Sequence, residues 1–156
     1  MVCTGNICRS PTAQGFLLKA LQDHALDNFV QVDSAGTTAI HEGSPPDPRS
    51  IDAAKAHGID LSVFRARSIK PEDFERFDLI VAMDGSNLMN LRDMAPAQGR
   101  AELVLLLDYL PNQPLRDVPD PLSHELHTKR FFVHRFQVAW PKLTMHRDRR
   151  PVHTMG

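Results

Sequence analysis

Apolar residues fall at Ala13, Phe16, Leu17, Ala20 and Leu21, a stripe that predicts a helix from Ser10 to about Asp23. Val30 and Val32 then alternate with polar neighbours, and Ser34-Ala35-Gly36 predicts the end of a short strand. A loop rich in Gly and Pro follows. Asp47 before Pro48 reads as an N-cap and first helical position, and Gly58 after His57 closes that helix. Lys70-Pro71-Glu72-Asp73 predicts the start of another short helix. Leu79 to Met83 and Leu103 to Leu107 are near-continuous apolar runs, the pattern of strands buried on both faces. Between them Asp84 or Ser86 caps a helix through Met94. Strands alternating with helices imply an α/β fold, a parallel sheet in layers with its active loop at a strand's carboxyl end.

Composition narrows the class. A chain of 156 residues is one domain by size, and 42% hydrophobic with 24% charged residues is a globular composition. A net charge of −1 argues against a dedicated nucleic-acid binder. Cys3 and Cys8 are the only cysteines; so close together they are no disulfide framework, which points to a reducing compartment. No run approaches a membrane span and no apolar leader is evident, so the cytoplasm is the default.

Charge divides the chain near Pro121. Residues 1–121 carry 11 Lys and Arg against 17 Asp and Glu, a balance of −6, whereas residues 122–156 carry 7 against 2, a balance of +5. The tail also holds five of the eight histidines, without ligand spacing, so a solvated basic tail is the plainer reading. Phe132, Val133, Phe136, Ala139, Trp140 and Leu143 predict a last helix, interrupted by Pro141, and Met145 to Gly156 reads as disordered. The expected organisation is a domain over 1–121 and a divergent basic tail over 122–156.

The chemistry sits at the start, in Val2-Cys3-Thr4-Gly5-Asn6-Ile7-Cys8-Arg9-Ser10-Pro11. Pro is favoured in a helix's first turn, so this stretch is a tight loop delivered into a helix N-terminus, where unpaired N–H groups and the macrodipole make an anion site. Gly5 and Asn6 best tolerate the positive φ that turns amides inward. Arg9 offers a planar fork for two oxygens of a tetrahedral anion. A cradle of this kind favours the thiolate of Cys3, and Ser10 is placed to donate to it. A sulfur nucleophile against a bound phosphate points to phosphoryl transfer through a cysteinyl phosphate, with no metal required. Three plainer readings compete. The cysteines are ordinary buried hydrophobes, or half of a metal site that lacks partners nearby, or part of a nucleotide loop without the glycine-lysine end of a P-loop. A leaving group also needs a proton donor, and Asp117 and Asp120, in a proline-bounded loop after the last strand, are both candidates.

VCTGNICRSP resembles the signature loop of the low-molecular-weight protein tyrosine phosphatases. The similarity continues through Asp33 to Thr37, Pro46 to Arg49, His57-Gly58-Ile59, Ala66-Arg67, Met83-Asp84, Ser86-Asn87-Leu88 and Asp117 to Pro121. The resemblance implies a three-layer α/β fold with a short, nominally four-stranded parallel sheet flanked by helices. It implies Cys3 as nucleophile, Thr4, Gly5, Asn6, Ile7, Cys8 and Arg9 as the phosphate cradle, and Asp120 as general acid. Asn6, Ser10 and Ser34 match positions that hold the loop in shape, and Cys8 matches a second cysteine able to pair with Cys3 under oxidation. The implied substrate is a phosphotyrosine protein or a small aryl phosphate, with no cofactor, nucleic acid or membrane involved.

Departures from the family pattern set further expectations. Only Met1 and Val2 precede Cys3 where the family has a whole strand, so the first strand is largely missing. That predicts two exposed neighbouring strands and a nucleophile on a fraying terminus, as in a truncated gene or a start assigned too late. Ile40 stands where the family usually has Trp or Tyr, and Leu122-Ser123 replace an aromatic pair, which removes ring-stacking partners. Phe64 occupies a position often held by a loop-supporting histidine. The alternative function is therefore an impaired, phosphate-binding pseudophosphatase. Two further readings rank lower. Ile7 stands where phosphoarginine-preferring relatives tend to carry Thr, and arsenate reduction needs cysteines beyond Cys8.

Overall fold

The computed structural model describes residues 1–109 and 115–120. In chain order its elements are β1 (Val2–Cys3), α1 (Arg9–Asp23), β2 (Ala35–Gly36), α2 (Pro48–Lys55), α3 (Asp73–Arg76), β3 (Leu79–Ala82), α4 (Gly85–Met94) and β4 (Glu102–Leu105), with a 3-10 turn over Leu106–Tyr109. All strand pairings are parallel, in the order β2-β1-β3-β4, and helices flank the sheet. This is the layered α/β architecture implied by the sequence.

The helix ends follow their signals. Asp47 caps α2 by accepting from the Arg49 N–H at 2.9 Å, and Gly58 leaves that segment at φ 72°. Asp84, rather than Ser86, caps α4, accepting from the Asn87 N–H at 2.7 Å. Pro11 falls in the first turn of α1, where no intrahelical acceptor exists for its missing N–H.

The sheet divides the core by simple alternation. Cys3, Val81 and Met83 point into a cluster with Ala13, Phe16 and Leu61, on the side of α1 and α2. Val2, Ile80 and Ala82 point into the opposite cluster with Phe74, Leu88 and Leu91, on the side of α3 and α4. The two-residue period of a strand is thus what seats the sulfur of Cys3 beneath α1.

Three expectations are corrected. The short first strand does not leave its neighbours exposed. Val2 pairs with both Ala35 and Ala82, which are 1% and 0% exposed, and Cys3 is itself buried. Bonds from Ala35 N to Met1 O, Thr37 N to Cys3 O and Met83 N to Val2 O extend the ladder beyond the two strand residues. The strand expected around Val30 and Val32 is confined to Ala35–Gly36, because the Ser34 N–H turns to the Asp33 carboxylate at 2.7 Å instead of a ladder partner. β4 is not buried on both faces. It lies at the end of the strand order, with Glu102 exposed and Leu103 and Val104 half-buried. The predicted tail helix and Leu122-Ser123 lie outside the described residues.

Candidate active site

The loop between β1 and α1 is held from behind by Asn6. This residue sits at φ 55°, and its buried side chain makes three hydrogen bonds. Its amide donates to Ser10 Oγ at 2.8 Å and to Ser34 Oγ at 2.9 Å, and its carbonyl accepts from the Arg67 N–H at 3.0 Å. Ser34 passes its own proton to Gln14 Oε1 at 2.6 Å. Since Ser10 accepts from Asn6, its proton is left for Cys3 Sγ at 3.0 Å or the Ala35 carbonyl at 3.3 Å. Phe64 brings no polar group; it packs against the apolar cluster under α1. The Arg67 backbone N–H is what reaches Asn6 from this part of the chain.

The loop packs tightly against its neighbours. A Cβ on Gly36 would meet the Thr4 carbonyl at 2.7 Å, and one on Gly5 would meet the His41 ring at 2.7 Å. The backbone N–H groups of Gly5, Asn6, Ile7 and Cys8 find no acceptor among the described residues. In a folded interior such donors need an anionic or polar partner.

Arg9 closes the loop. It is 4% exposed, and both protons of its Nη1 go to the scaffold, to Asp84 Oδ2 and to the Val118 carbonyl at 3.1 Å. On the other edge of the guanidinium Nη2 forms an ion pair with Asp120 Oδ2 at 3.6 Å. Asp117 and Asp120 are thereby told apart. Asp117 accepts from the Gly85 N–H at 2.8 Å at the start of α4, whereas the half-exposed Asp120 stands beside the arginine fork.

Cys3 and Cys8 are both buried free thiols. Burial pushes the Cys8 thiol up to about 12; a hydrogen bond with Ser50 opposes this, and the nearby Asp47, Cys3 and Asp120 add to it. Ile7 is half-buried and accepts at its carbonyl from the Asp47 N–H at 2.8 Å, which ties the loop to the start of α2. Ile40 is 72% exposed next to His41, at the rim.

A sulfur, an arginine and a run of free amides gathered on one loop are matched by the sequence profile of the family described as low molecular weight phosphotyrosine protein phosphatase, over residues 1–142. The chain belongs to this family. It is 38% identical over 120 residues to the low molecular weight protein-tyrosine-phosphatase YfkJ of Bacillus subtilis, covering 77% of each chain. Against the low molecular weight phosphotyrosine protein phosphatase of Schizosaccharomyces pombe it is 40% identical over 121 residues, again 77% of each. Among solved structures it superposes on a protein tyrosine phosphatase of Entamoeba histolytica with a TM-score of 0.87 and 32% identity, over 94% of each chain. An arginine phosphatase of Drosophila superposes with a TM-score of 0.88 and 28% identity, over 96% and 97%.

Within this phosphatase-family fold the structure brings together every residue of the expected cradle, its two supporting serines and Asp120. Sequence reasoning missed three contributors. Gln14 ends the Ser34 chain, Asp84 holds Arg9, and Asn87 touches both Asp84 and Thr4. Asp84 carried a capping signal and, with Asn87, lay in segments that resemble the family, but nothing in its spacing linked it to an arginine 75 positions away.

Proposed function

We propose that this protein hydrolyses phosphotyrosine, or small aryl phosphate monoesters, through a cysteinyl-phosphate intermediate. The observation that carries the reading is the cradle itself. Amides from Gly5 to Cys8 that find no acceptor among the described residues, and the Nε–Nη2 edge of Arg9 with Asp120 beside it, belong to a loop whose first residue is Cys3. In the first step the Cys3 sulfur attacks phosphorus, the phosphorus–oxygen bond to the phenol breaks, and Asp120 gives its proton to the departing oxygen. In the second, Asp120 takes a proton from water as that water attacks phosphorus, the sulfur–phosphorus bond breaks, and phosphate leaves with the thiolate restored. Arg9 and the loop amides match the charge on the three equatorial oxygens. Ser10, held by Asn6, donates to the sulfur as it leaves.

Toward the phosphate, residues Gly5 to Cys8 present backbone amides, which makes the cradle tolerant of Ile at position 7, while the side chains of Thr4 and Asn6 turn to the scaffold. The reducing compartment that Cys3 and Cys8 favour places the reaction in the cytoplasm. No described helix is long and apolar enough to cross a membrane.

Turnover of para-nitrophenyl phosphate tests the reading. Wild-type protein is expected to release a burst of phenol and to be inhibited by vanadate. Cys3→Ser abolishes turnover, and Asp120→Ala lowers kcat by about 10²–10⁴ for a substrate that needs protonation. Phosphate binding without any turnover would instead support the pseudophosphatase.

A further inference from the structure

The two ends of the cradle loop meet on one helix. Asn87, the third residue of α4, is 1% exposed and faces both. A carboxylate can only accept, so the Asn87 amide nitrogen turns to Asp84 and lies 3.1 Å from each of its oxygens. The Asn87 carbonyl then accepts from Thr4 Oγ1, also at 3.1 Å. Asp84 in turn holds Arg9 Nη1. A closed circuit therefore runs from Thr4, the first residue after Cys3, through Asn87 and Asp84 to Arg9, the last residue of the cradle. The backbone Asn87 N–H also binds Asp84, at 2.7 Å, so this carboxylate is held from several sides.

We infer that Asn87 is a positioning residue for phosphate recognition, tying Thr4 and, through Asp84, Arg9 to a single rigid helix start. The inference rests on the phosphatase reading of the loop. Asn87 touches no reacting atom. Its effect is on the aim of the guanidinium edge, and a displacement of about 1 Å there is enough to weaken a two-oxygen contact. Thr4 is exposed, so its hydroxyl has no packing reason to be fixed; it gains one from this circuit.

The experiment compares wild type with Asn87→Ala, Thr4→Val, Thr4→Ser and the double variant Asn87→Ala/Thr4→Val. Binding of inorganic phosphate is measured by calorimetry, kcat and KM with para-nitrophenyl phosphate, and Tm by circular dichroism. Asn87→Ala and Thr4→Val are each expected to weaken phosphate binding about fivefold to tenfold, the usual effect of one lost hydrogen bond to a buried network. Thr4→Ser, which keeps the hydroxyl, restores wild-type affinity. The double variant loses no more than Asn87→Ala alone, because both changes open the same circuit. Phosphate affinity within twofold of wild type in both single variants, or losses that multiply in the double variant, overturns the inference. Should Asn87→Ala fail to fold, the surface pair Thr4→Val and Thr4→Ser decides the matter. A wild type that binds phosphate without hydrolysing the ester refutes the phosphatase reading alone, and calorimetry still judges Asn87. A wild type that binds no phosphate refutes both.

Discussion

Asn6 holds its backbone at φ 55° while its side-chain amide donates to Ser10 at 2.8 Å, so one residue bends the cradle and fixes the hydroxyl beside Cys3. Both tasks are separable by substitution. Asn6→Ala keeps the strain of a positive φ, about 1–2 kcal/mol for a residue with a Cβ, and strands the partners on Ser10, Ser34 and Arg67. Its expected cost is about 3 kcal/mol of unfolding free energy. Asn6→Gly strands the same partners without the strain and should be about 1 kcal/mol less destabilised. Urea unfolding of the two variants checks this ordering. Equal stabilities would mean that the bend at Asn6 carries no strain.

The alternation of apolar and polar positions was enough to read the layers, because a strand's two-residue period and a helix's stripe are local properties. It placed α1, α2 and α4 to within a residue or two, and for α3 it gave only a start between Lys70 and Asp73, against an observed start at Asp73. It misjudged β4 because burial on both faces depends on the strand order, which an apolar run does not encode. The loop from Cys3 to Ser10 was legible for a similar local reason: its chemistry is contiguous in the chain. Asp84 and Asn87 were not, since their meeting with Arg9 and Thr4 requires β3 to pair alongside β1.

The two thiols should react very differently. Burial raises the Cys8 thiol to about 12, so at pH 8 it stays protonated and unreactive. Cys3 borders the free amides of the cradle. Iodoacetate is expected to alkylate Cys3 and spare Cys8, and added phosphate should slow the reaction by occupying the cradle. Peptide mapping by mass spectrometry reads both results. Labelling of Cys8 at a comparable rate would contradict the burial seen here.

Acid should loosen the back of the loop through Asp73. Burial alone would raise this carboxyl, but its hydrogen bonds from Arg67 at 2.7 Å and from the Lys70 N–H at 2.9 Å outweigh that and hold it below the ordinary 3.8. A carboxyl depressed in the folded state adds stability that is complete above its unfolded value. That stability is lost as pH falls through the folded value. Asp73→Asn should therefore lower Tm at neutral pH, by an amount equivalent to about 2 kcal/mol since Asp33 still pairs with Arg67. The gap between wild type and variant should narrow below about pH 4. Melting curves across this range provide the check, and a gap that stays constant with pH would exclude the Asp73 carboxylate as the source.

Gly15 lets α1 closely approach Ile59 and Leu61, in the chain after α2. An added Cβ would lie 2.5 Å from Leu61 Cδ2 and 2.8 Å from Ile59 Cγ2, and Leu61 is fully buried. Two effects oppose one another in Gly15→Ala. Helix propensity gains about 1 kcal/mol, whereas overpacking costs about 1–3 kcal/mol. Because Leu61 is fully buried, overpacking is expected to win, with a net loss of about 1 kcal/mol. Gly15→Ala paired with Leu61→Ala should recover part of that loss relative to additivity. Denaturant titrations of the double-mutant cycle measure the coupling, and a stabilised Gly15→Ala would show that Ile59 and Leu61 give way to α1 at little cost.

Substrate preference should be adjustable at the rim. Ile40 is 72% exposed beside His41, which packs on Gly5, so a larger ring at position 40 would overhang the cradle without entering it. An aromatic pair contributes about 0.5–1.5 kcal/mol beyond area burial, which is roughly a threefold to tenfold change in affinity. Ile40→Trp is therefore expected to lower KM for aryl phosphates by that factor and to leave kcat nearly unchanged, since stacking serves ground and transition states alike. Hydrolysis of a small alkyl phosphate with no planar group should not gain, because it offers nothing for the added ring to stack on. Ile7→Thr probes the opposite preference, opening room beside the cradle for the guanidinium group of phosphoarginine. Assays of Ile7→Thr with phosphoarginine peptides, and of Ile40→Trp with aryl and small alkyl phosphates, distinguish the two effects. A fall in KM for the alkyl phosphate as well in Ile40→Trp would mean that the added ring acts through the loop's conformation instead of through stacking.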